Sequence, residues 1–243
     1  MTRSICIAVF SALLFFHQSR AANLDNSIVK LGLKTLTLPL VEGYPRLDGK
    51  STELDTTIDI MARGARNRVV ALYGTENDLG LILQGKKPAL SRTITIQSAI
   101  ALEGKEMPPA IFLRFKDQLK EDVTTSDKAI KALLEEIEES SSDALSKQSK
   151  VTTVVQYGDV VRLGIFEETD KSLCHSMLAQ VRSETPKGTR EGVQATSIAL
   201  VFLDGKLLTI YVSSLYQSID DLYWTRKMAL LVRDQLIESN IKP

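Results

Sequence analysis

Two apolar runs, "VQATSIALVFL" and "KLLTIYVSS", meet at Asp204-Gly205. No other feature constrains the fold of this chain as strongly. A two-residue connection of this kind takes a type I′ turn, with positive φ at both central residues, and its twist matches that of the strands it joins. It predicts a β-hairpin and hence an antiparallel sheet. Behind the second run comes "YQSIDDLYW". Ser218 and Asp221 have the spacing of an N-cap and its N3 partner, so a helix is expected from Ile219 to Ser239. Leu222, Ala229, Val232 and Leu236 form one face of it, widened by Trp224, Met228 and Leu231. Asp220 and Asp221 lie at the positive end of the helix dipole, where each gains about 0.3–1 kcal/mol. They read as helix initiation rather than as a catalytic or metal-binding pair.

The earlier chain adds strands and helices. Leu31–Leu40 alternates from Leu36 and predicts a half-buried strand. Thr52 and Asp55 stand at capping-box spacing before Leu54, Ile58, Met61 and Ala65, which share a helical face. "RVVALY" and "LGLIL" flank "GTEND" and predict a hairpin. Arg92–Leu102 reads as another strand. Pro108-Pro109 opens a long helical insert at about 108–147, with Phe112, Phe115 and Leu119 on one face. A second helical start is expected at Ser126, with Ile130, Leu134 and Ile137 together. From Val151 a meander follows, turning at Gly158-Asp159 and running through the polar loop "ETPKGTREG". The fold class expected is α+β, a mainly antiparallel sheet with helices packed on it.

The N-terminus bears on location. Arg3 precedes the uncharged apolar stretch Ile5–Phe16, and Ser19 and Ala21 fit the −3 and −1 positions of a signal-peptidase site. Residues 1–21 are therefore expected to be a signal peptide, and 22–243 a single α+β domain, periplasmic or secreted. No later segment approaches ~20 apolar residues, so no transmembrane segment is expected in the mature chain. Of 30 basic and 30 acidic residues, Arg3 and Arg20 would leave with the peptide. The near-balance gives no electrostatic reason to expect nucleic acid as a partner. Cys6 would leave too, so Cys174 could form no disulfide within the mature chain.

The order of elements, ending in the hairpin and helix of "LVFLDGKLLTIYVSS" and "DDLYWTR", resembles the Mog1/PsbP-like α/β/α sandwich found also in small bacterial envelope proteins. The resemblance covers about Leu31 to Ile241 and is one of element order, not of a functional motif. It implies a binding or accessory role and assigns no residue.

Chemistry-bearing constellations are few. Cys174 and His175 are neighbours, but neighbours on a strand point to opposite faces, which defeats a Cys-His nucleophile pair. One histidine and one cysteine cannot supply a usual zinc set. "GTEND" and "EETD" lack EF-hand spacing, and no P-loop, dinucleotide fingerprint or nucleophile elbow occurs. Neither a metal nor a cofactor is expected, nor any catalytic residue. Aromatics make up 6% of the chain, yet Tyr211, Tyr216, Tyr223 and Trp224 crowd the strand–helix corner. These four are the candidate contacts to a ligand or partner. The reading that follows is a non-catalytic accessory or binding protein of the envelope, its partner an unknown envelope protein or small ligand. A carrier of a small apolar or amphipathic ligand is the alternative, and a carboxylate-dependent hydrolase a weaker one.

Overall fold

The computed structural model describes residues 27–125, 154–186 and 188–241, with single positions between 135 and 147. The expected second helical start at Ser126, with Ile130, Leu134 and Ile137, lies outside them, as do residues 1–21, expected to be a signal peptide. The architecture is α+β. A six-stranded antiparallel sheet has the order β3-β4-β8-β7-β6-β5, and β1 (Ile28–Leu31) and β2 (Lys34–Thr37) form a separate two-stranded sheet. The large sheet comprises β3 (Asn67–Tyr73), β4 (Arg92–Ala99), β5 (Val154–Glu168), β6 (Ser172–Thr185), β7 (Gly188–Leu203) and β8 (Lys206–Leu215).

The hairpin at Asp204-Gly205 forms as the sequence dictates. Asp204 has φ 47° and Gly205 φ 79°, and β7 pairs β8 from Leu203↔Lys206 up to Gln194↔Leu215. The closing helix α5 (Ile219–Glu238) starts on Ser218, whose hydroxyl and the Asp221 carboxylate make the reciprocal capping box. Alternation along the strands then buries one face under α5. Ile94, Ile96, Cys174, Ala199, Val201, Leu208, Ile210 and Val212 meet Met228, Ala229, Val232 and Leu236 there, closed at the margin by Leu31, Leu36, Leu38 and Val41.

Among the described residues, the far face is covered in two places. Helices α1 (Thr52–Gly64) and α2 (Glu76–Leu83) cover β3, where Leu54 and Ile82 pack with Leu47 and Leu72. A short helix α3 (Ile100–Glu103) leads to α4 (Pro109–Thr125), and Phe112 of α4 packs on Leu173, Leu200 and Leu207. The Phe112 and Phe202 rings stack with centroids 4.9 Å apart. Two buried lysines tie this layer down. Lys206 Nζ donates to the carbonyls of Glu103 (2.8 Å) and Lys105 (2.7 Å), and Lys116 Nζ to that of Thr169 (2.7 Å).

Several expectations need correction. Residues 31–40 are not one strand: Gly32, at φ 60°, turns the chain between β1 and β2. The α1 cap is Ser51 rather than Thr52, while Asp55 accepts from Gly49 N–H at 3.0 Å. "LGLIL" belongs to helix α2, because Thr75 and Asp78 make a capping box and Ile82 needs helical spacing to reach Leu72. The β4 strand stops at Ala99, before α3. Phe115 is 41% exposed, and Lys116 takes its place on the buried face of α4. Gly158-Asp159 is no turn but a bulge within the continuous strand β5, marked by the register shift between Tyr157 and Val160. The polar loop is mostly ladder, since β6 and β7 stay paired to Thr185↔Gly188.

Candidate functional site

Three of the four candidate aromatics gather where β8 gives way to α5. Tyr216 leaves the sheet, its N–H donating to the Val193 carbonyl at 2.8 Å. Tyr223, one turn into α5, is 59% exposed. Trp224 turns inward against the core, with the Tyr44 ring 5.5 Å away and the Arg92 guanidinium 4.7 Å from its ring centroid. Tyr211 is apart from them. It pairs with Thr95 and Ile198 on the face away from α5. Burial pushes its phenol pKa up, against the opposing effect of a hydrogen bond with Asn67.

Asp221 anchors this corner. Its carboxylate accepts from the N–H groups of Gln217 (2.9 Å) and Ser218 (3.2 Å), from the Ser214 hydroxyl (3.2 Å) and from Arg92 (3.1 Å). The Gln217 N–H foremost, then Arg92, Ser218 and Ser214, hold its pKa below the usual carboxylate range against the opposing effect of burial. The sequence showed the cap but not Arg92 or Tyr44, which arrive from distant segments.

Deeper under α5 lies a chain of hydroxyls. Ser176 and Ser197 are 2.9 Å apart, and Ser197 and Thr225 2.8 Å. Arg226 Nε donates to Ser176 at 3.1 Å while its guanidinium lies over Phe166. Every member has a partner, which is the requirement for polar groups at this depth. Cys174 and His175 point to opposite faces, as alternation requires. The Cys174 thiol is buried against α5, 3.7 Å from Arg233 Nη1, and burial pushes its pKa up to about 11. His175 faces away, opposite Ile165 and Ile198, and burial, then the nearby Arg162 charge, lowers its pKa to about 4. Glu167 and Glu168 also diverge. Glu167 faces Cys174 and Arg233, whereas Glu168 lies 2.9 Å from Lys120 and 3.0 Å from Lys116. Among the described residues, no group of three or more His, Cys, Asp or Glu side chains could hold a metal ion.

A cleft of about 650 Å³ opens on the long distal halves of β5, β6 and β7, lined by Glu138, Gln156, Gln180, Arg182, Glu191 and Val193 among others. Sequence reading missed it, because its members come together only through register: Gln156 pairs with Arg182, and Arg182 with Glu191. Arg182 Nη1 lies 3.0 Å from Glu191 and also pairs with Glu184. The Glu138 carboxylate accepts the Tyr157 N–H from outside the edge of β5. The cleft adjoins the aromatic corner. A Cβ on Gly192, one of its lining residues, would come within 2.9 Å of Leu215 Cδ1, and Tyr216 holds the neighbouring Val193. Compared with known proteins, the chain matches no protein-family model and no curated protein.

Proposed function

We propose that the protein is a non-catalytic binding module of the cell envelope, which engages another envelope component through the β8–α5 corner. One observation carries this reading. Leu215, Ile219 and Tyr223 are 46%, 48% and 59% exposed around a single corner, beside a polar cleft. Exposed aromatic and aliphatic side chains with a polar rim are the composition of a contact surface. The residues that could do chemistry are engaged in the fold instead: Asp221 in the cap, Cys174 in the core, Glu168 with two lysines. The envelope setting rests on the signal-like N-terminal segment. The resemblance of the element order to the Mog1/PsbP-like sandwich agrees with an accessory role.

A photo-crosslinking residue at Tyr223, in the full chain produced in its own cells, tests this. One envelope component should be captured at position 223 and not at the still more exposed control Leu83. The double change Ile219→Asp and Tyr223→Asp should abolish capture while leaving the melting temperature nearly unchanged. Equal capture at both positions would overturn the reading, as would a turnover abolished by one Asp or Glu change. A carrier of a small apolar or amphipathic ligand is the other reading, and Tyr211 and His175, partly buried on the sheet face away from α5, are where such a ligand would be sought. Native mass spectrometry decides that case by the presence or absence of a bound small molecule.

A further inference from the structure

We infer that the cleft on the distal halves of β5, β6 and β7 binds a short neutral carbohydrate chain through Gln156, Gln180, Arg182 and Glu191. This site goes beyond the corner contact proposed above and does not rest on it.

The cleft lies where the sheet outruns its helix. Cys174 and Ser176 of β6 sit under α5, in contact with Arg233 and Arg226. Side chains two apart along a strand share a face, so Gln180 and Arg182 continue that same face past these contacts. Register then sets Gln156, Arg182 and Glu191 abreast on three strands, with Gln180 opposite Val193 one step along. Strands lie about 4.8 Å apart, so the row of three is about 10 Å long. The space above it is about 650 Å³. That is within the range of ~300–1,000 Å³ usual for small-molecule sites. Gly158 helps to keep it open. A Cβ there would come within 2.7 Å of Gln180 Oε1 and 3.0 Å of Gln180 Cβ, and would push that side chain aside.

The chemistry of the row selects hydroxyls. Gln156, Gln180, Arg182 and Glu191 are all exposed. Each glutamine amide offers a carbonyl acceptor beside an NH2 donor, and among the described residues neither amide has a hydrogen-bond partner. Arg182 directs Nη1 to Glu191 at 3.0 Å and Nη2 to Glu184. These pairs cancel charge without exhausting the groups, since a guanidinium has five N–H bonds and a carboxylate about four lone-pair sites. Every station along the row therefore presents a donor next to an acceptor. A sugar hydroxyl, itself both donor and acceptor, is the complement of such a station. An anion finds Arg182 already flanked by two carboxylates, with Glu138 adding a third to the lining. An apolar ligand would strip water from the two amides and return no hydrogen bond. Val193, half-buried on the same face, gives the C–H side of a sugar ring a surface to rest on.

An array of neutral and acidic oligosaccharides, probed with the full chain, tests this. Neutral glycans should be bound and acidic ones of the same length should not. Titrating the best binder into the 15N-labelled chain should shift the amide signals of Gln156, Gln180 and Glu191 saturably and leave that of Tyr223 in place. The double change Gln156→Met and Gln180→Met keeps side-chain length and removes both amides. It should hold the melting temperature and weaken binding about tenfold. Gly158→Ala, which displaces the Gln180 amide, should weaken it as well. An array with no neutral binder, or with acidic glycans bound best, would overturn the inference. So would shifts centred on Tyr223, or a double variant that binds as tightly as the parent. Failure of the cleft while capture at Tyr223 persists would leave the corner reading standing.

Discussion

Asp220 and Asp221 are adjacent in sequence and unlike in consequence. Asp220 is exposed and acts on the helix dipole alone, whereas Asp221 is 8% exposed and accepts from two backbone N–H groups, a hydroxyl and Arg92. Asp220→Asn should therefore cost about 0.5 kcal/mol or less. Asp221→Asn leaves the carbonyl oxygen to accept but turns an amide toward donors, and should cost about 2–3 kcal/mol. Equal urea midpoints for the two variants would refute this division. Trp224 is half-buried between Tyr44, Arg92 and the core, so Trp224→Ala opens a gap that Tyr44 can partly fill. A loss of about 2–4 kcal/mol is expected. A variant as stable as the parent would move Trp224 from packing to partner contact.

At the scale of elements, the β7–β8 turn is the sharpest test of local chemistry. Gly205 sits at φ 79°, and a side chain there meets nothing closer than Glu106 Cβ at 3.5 Å. Space is not the constraint; the backbone is. Gly205→Val puts a β-branched residue at positive φ and should cost about 1–2 kcal/mol, while Asp204→Asn, which keeps a residue tolerant of that region, should cost less. A difference below ~0.3 kcal/mol between them would mean that the turn relaxes to another type. This turn and the α5 cap were legible because their signals are local: two residues fix one and four the other. "LGLIL" was not, since a short apolar run fits a buried strand and a buried helix alike, and the deciding contact with Leu47 and Leu72 is remote. Gly158-Asp159 looks like the Asp-Gly turn in composition, but pairing with β6 on both sides holds it as a bulge. Of the candidate site, the sequence disclosed the aromatics at the corner. It did not disclose that Tyr211 lies on the far face, nor the cleft, whose members meet only by register between strands.

At the scale of the whole molecule, the groups with shifted pKa values converge on one response to acid. His175 has a folded pKa of about 4, below the ordinary 6.5, with burial the main cause. The unfolded chain binds this proton first. Stability is thus complete above about pH 6.5 and falls as pH drops towards 4, a window set by these two values. Asp221 and Glu168, both lowered, act at more acid pH: what they contribute is present above the ordinary carboxylate range and lost as pH falls through their folded values. Between pH 7 and pH 5 only the histidine step should show, at about 2 kcal/mol. His175 faces Ile165 and Ile198 across the strands on either side, so the strain of charging it falls on the middle of the long β5–β6–β7 half of the sheet. Urea unfolding at pH 7 and pH 5 measures the step, and His175→Gln should remove most of it while leaving the steeper loss below pH 4 in place. A wild-type protein equally stable at both pH values would show that the imidazole is hydrated in the fold, and that this face of the sheet is open to water.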